Sequence, residues 1–88
     1  MTATETIKAA RAWIEQHGWK QGSHYVPGGP GCLSVAFAQC GATIREQCEA
    51  WTLLRQKIDA DMISWNDTPG RTVEDIYGLL DAVAGELR

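Results

Sequence analysis

Cys32-Leu33-Ser34-Val35-Ala36-Phe37-Ala38-Gln39 is the stretch on which the fold class turns. It is apolar nearly all round and short enough to be either a buried strand or a helix. Ala36 and Ala38 favour helix, and no other segment of the chain offers a partner strand. The stretch is therefore read as a helix from about Cys32 to Gln39, stopped by Gly41. A helix without a polar face belongs at the centre of a core.

Upstream, Trp19 to Gly31 contains Gly22, Pro27, Gly28, Gly29, Pro30 and Gly31, and no regular element runs through such a segment. Before it, Ala3, Ile7, Ala10 and Ile14 recur on one helical face with Trp13 at its edge. Thr2 and Glu5 have capping-box spacing, and Gly18 is a C-terminal stop. Downstream, Thr43 and Glu46 open a third helix in the same way. Ile44, Cys48, Trp51, Leu54 and Ile58 form its expected buried stripe. Arg55 falls inside that stripe, about 20° from Ile44, and Leu53 falls about 180° away. Leu53 is either a contact for a second partner or a single exposed leucine. Asp59 to Gly70, rich in turn residues, reads as an ordered loop. Thr72 caps the last helix, with Glu74 and Asp75 at the positive end of its dipole. Ile76, Leu79, Leu80, Val83 and Leu87 form the stripe of that helix, and Gly78 and Gly85 are expected to permit close packing. The expectation is an all-α fold, a compact single-domain bundle of four helices over residues 1–88 with two long ordered loops.

Length and charge narrow the function. Eighty-eight residues make one small domain. A net charge of −3 and a pI near 5.2 argue against nucleic acid and against anionic membrane surfaces. No apolar run approaches the ~20 residues of a membrane span. Met1 to Glu5 lacks the layout of a secretory signal, so the cytoplasm is the expected compartment. Cys32, Cys40 and Cys48 are an odd set, and helical spacing would turn each about 80° from the last. With no C-x₂-C pair, neither a disulfide framework nor structural zinc is expected, and no cofactor is implied.

Five constellations bear on chemistry. Cys32, at the start of a helix, with His24 or His17 as base, has the outline of a cysteine nucleophile. Pro27-Gly28-Gly29-Pro30-Gly31 precedes a helix, but its prolines remove two donors and no Gly-Lys-Ser/Thr follows, so it reads as a connector. Asp59, Asp61 and Asp67, with Asn66, do not meet the calcium-loop pattern; Asp67 is expected to cap a turn or to accept from Arg71 or Arg55. Thr43 to Glu49 sits where a helix-turn-helix would place its recognition helix, yet two glutamates face one arginine. Trp19, Tyr25 and Trp65 lie in loops, and four tryptophans in so short a chain is rich. Such side chains anchor interfaces or plug a small core.

Gly18-Trp19-Lys20-Gln21-Gly22, the Cys32-led helix and above all Trp65-Asn66-Asp67-Thr68-Pro69-Gly70-Arg71-Thr72 together resemble a family of small actinobacterial and actinobacteriophage proteins that form a domain of unknown function. The resemblance implies a helical fold and such a source, the phage side being favoured, but no reaction. Val35 stands where that family's central helix has a glycine. The final block also has a local reading: Asn66 and Asp67 close a turn, Arg71 pairs with Asp67, Thr72 caps, and Trp65 staples the loop to the core.

The leading expectation is a protein-binding module, a phage protein engaging a host protein, acting through Trp19, Tyr25, Leu53 and Trp65, with a homodimer as a variant. The alternative is a small hydrolase or transferase using Cys32 and His24.

Overall fold

The computed structural model describes residues 1–86 and is all-α. Its helices are α1 (Ala3–His17), α2 (Leu33–Gln39), α3 (Ile44–Ile58), α4 (Met62–Asn66) and α5 (Val73–Glu86). Leu87, the end of the last expected stripe, lies outside the described residues.

The helix starts obey local chemistry. Thr2 Oγ1 accepts the Glu5 N–H at 3.1 Å while Glu5 Oε1 accepts the Thr2 N–H at 2.8 Å, and Thr43 and Glu46 repeat the arrangement at 3.2 and 2.8 Å. Thr72 and Asp75 do the same for α5. Gly18 ends α1 with a φ of +91°, which a side chain would resist.

Four expectations need correction. Among the described residues there are five helices, because the segment expected to be a loop holds α4. Asp61 caps α4 by accepting the Ser64 N–H at 3.0 Å, and Met62 and Asn66, one turn apart, are both buried. Five helical residues among turn-forming neighbours carry too little periodicity to read.

The buried face of α3 departs from the expected stripe at its first two members. Of that stripe, Leu54 is fully buried and Trp51 and Ile58 pack partly buried on the core, but Ile44 is 78% exposed and Cys48 is exposed. Ala50 is fully buried and Leu53 half-buried against the core. α3 touches all four other helices, so it is covered on more than one side.

The helix that touches most of the core is α1, against α2, α3 and α5. α2 buries Leu33, Ala36 and Phe37 but exposes Ser34, Ala38 and Gln39. Seven residues are too few to be enclosed on every side.

A β-carbon on Gly78 or Gly85 would meet nothing within 4 Å, so neither glycine serves close packing.

The long first loop is pinned at its base, where Gly31 N–H donates to Gly18 O at 3.3 Å and Lys20 N–H donates to Gly31 O at 3.2 Å. A β-carbon at Gly31 would lie 2.6 Å from Val35 Cγ1 and 3.0 Å from the Trp13 ring, so only glycine fits. Phe37 meets Trp51 edge-on at 5.7 Å across α2 and α3. No helix among the described residues is long and apolar enough to cross a membrane.

Candidate functional site

The first loop and the α4 region meet at one buried side chain. Asn66 is 2% exposed, held on the inner face of α4. Its Oδ1 accepts from Trp19 Nε1 at 2.8 Å and from the Leu33 N–H at 3.1 Å. Its Nδ2 donates to Asp67 Oδ1 at 2.9 Å and to the Lys20 carbonyl at 3.5 Å. The Leu33 amide is among the first of α2, which no helical carbonyl can satisfy. One amide thus ties loop, α2 and α4 together, where the sequence suggests only a local turn.

Asp67 completes the clasp by accepting the Gly22 N–H at 2.9 Å. That bond and the one from Asn66 hold its carboxyl below the usual aspartate range, so it stays anionic. Gln21 Nε2 donates to the carbonyls of Asn66 and Thr68, at 3.2 and 2.6 Å. Arg71 does not pair with Asp67. Its guanidinium lies 3.9 Å over the Trp65 ring and its Nε donates to the Trp65 carbonyl at 2.9 Å. Thr72 caps α5 as expected from its position.

Beside the clasp lies a cleft of about 110 Å³, walled by Leu33, Val35, Trp51 and Met62. Ile63, 55% exposed, stands at its rim; Cys32 and Asp67 also line it. Neither histidine does. His24 is exposed on the first loop, and His17 stacks on Trp13 at 4.3 Å with Nδ1 2.9 Å from the Trp13 carbonyl. Cys32 is buried, and no imidazole shares the cleft lining with it. Asp59, in a left-handed conformation, ends α3, Asp61 caps α4, and Asp67 serves the clasp. Among the described residues no three such groups gather around one point suited to a metal ion.

The four residues expected to bind a partner are dispersed and partly engaged. Trp19 bonds Asn66, Tyr25 packs 6.1 Å from Trp13, Trp65 lies under Arg71, and Leu53 packs on the core. Gln21 enters the sequence reading only as part of the Gly18–Gly22 segment, and Met62 and Ile63 not at all, although the three belong to the clasp and cleft. The Asp61-x-x-Ser64 spacing, a side-chain cap, was the one local sign of the helix that carries two of them.

No curated protein and no solved structure matches this chain. A model for a family of unknown function, DUF6197, matches residues 1–86. With that match spanning nearly the whole bundle, clasp and cleft included, the chain belongs to the DUF6197 family of unknown function.

Proposed function

We propose that this chain is a small protein-binding module whose anchor site is the cleft between α2, α3 and α4. One observation carries the reading. The cleft is apolar and about 110 Å³, below the several hundred Å³ usual for a small-molecule site, yet adequate for one aliphatic side chain. A small apolar cleft taking a single anchor, with an exposed apolar rim, is the arrangement of a binding hot spot. Asp67, anionic at one end, favours a Lys or Arg beside that anchor. Trp19 and Trp65 serve this site by stiffening the clasp. The likeness of the Trp65–Thr72 block to actinobacterial and phage chains supports a phage protein engaging a host protein. Three free thiols fit a reducing compartment such as the cytoplasm.

Selection from a displayed random-peptide library, followed by calorimetry, tests this. Peptides with an aliphatic residue next to a basic one are expected. Ile63→Asp should weaken them about tenfold or more, and Asp67→Asn should weaken basic peptides selectively. Ala82→Arg, at an exposed position of α5, should change nothing. Peptides indifferent to Ile63→Asp, or none selected at all, would remove the proposal.

A further inference from the structure

Ile44 is the most exposed large apolar side chain among the described residues, at 78%. It stands on the first turn of α3, within about 40° of Cys48 and Trp51 around the helix. On that side α2 and α3 enclose a second, open hollow of about 300 Å³, lined by Ser34, Phe37, Gln47, Cys48, Trp51 and Thr52. None of these carries a charge. A protruding isoleucine and an uncharged hollow, about 10 Å apart along one helix face, complement each other across a two-fold axis. An axis that reverses α3 near Gln47 and Cys48 seats each Ile44 over the Trp51 of the other copy.

Charge selects the same register. Arg45 and Glu49 are both exposed on the outer edge of this face. With α3 antiparallel to itself about that axis, each Arg45 falls beside the other copy's Glu49, twice over. A parallel two-fold pairing would carry these two residues to opposite edges of the interface and leave neither charge opposed. Ser34 and Ala38, small and exposed on α2, leave room for approach. We infer that this face is a homodimer interface, with α3 packed antiparallel on α3 of a second copy and Ile44 filling the hollow beside Phe37 and Trp51. This hollow borders the cleft, sharing Ser34 and Trp51 with it, but the dimer does not rest on the proposed anchor site. It also differs from self-association through Leu53, whose side chain packs on its own core.

Sedimentation from about 10 µM to about 1 mM tests it. The mass is expected to rise from one chain to two, and Ile44→Asp should hold it at one. Arg45→Glu and Glu49→Arg should each raise the half-dissociation concentration about tenfold, and the double exchange should restore it. All three positions are exposed, so circular dichroism should show unchanged helix content. A wild type that stays at one chain, a dimer that survives Ile44→Asp, or a double exchange without recovery would overturn the assignment.

Discussion

Asn66 has every hydrogen-bonding position of its side chain in use, on partners from three parts of the chain. Asn66→Ala would leave the Trp19 indole N–H and the Leu33 amide without an acceptor in the interior. The expected cost is about 3 kcal/mol by urea denaturation. Asn66→Asp keeps the acceptor but removes both donors and sets a second carboxylate against Asp67. Its destabilisation should be greatest near neutral pH and should shrink as the pH falls and the pair takes up a proton. Asp67 itself has a depressed folded-state pKa, from the Gly22 N–H first and Asn66 second. It therefore contributes stability above its unfolded value of about 3.9, and that contribution is lost as pH falls through the lower folded value. Asp67→Asn should flatten this part of the acid limb, measured as urea midpoints between about pH 2 and pH 5. The importance of Asn66 was not legible in the sequence, because its acceptor serves Trp19 and Leu33, 47 and 33 residues away.

At the scale of elements, the helix starts were legible and the helix faces were less so. Thr2, Thr43 and Thr72 each meet a carboxylate three residues on, a rule that needs no tertiary partner. Thr72→Ala should cost about 1 kcal/mol, read from the thermal transition. Gly78 lies in the middle of α5, with a negative φ and open space where a β-carbon would go. Gly78→Ala should accordingly stabilise by roughly 0.5–1 kcal/mol in the same measurement. The α3 stripe holds at Trp51, Leu54 and Ile58 and fails at Ile44 and Cys48, in the first half of the helix, which the core leaves exposed. Ala50, outside the stripe, is fully buried beside Leu54. α4 is not legible in the sequence because five residues do not establish a period.

For the whole molecule, one clasp joins the two irregular segments, so the long loop is fixed where it is hydrogen-bonded and open between. Native-state hydrogen exchange should show this. The amides of Gly31 and Leu33, bonded to Gly18 and Asn66, should exchange only with global unfolding, while Ser23 to Gly28 should exchange far faster. Asn66→Ala should bring the Leu33 amide towards the fast group. The order of helices flanking the long loop, their caps and the glycine that ends α1 were determined by the sequence alone. Capping, periodicity and positive φ are settled among residues a few places apart. The tertiary structure alone decided that the start of α3 is left exposed, that Arg71 lies over Trp65 and leaves Asp67 to Gly22, and that Cys32 lines a cleft to which neither histidine contributes. Each of these turns on contacts made or withheld between segments distant in sequence. It exists only once α1 has gathered α2, α3 and α5 around it.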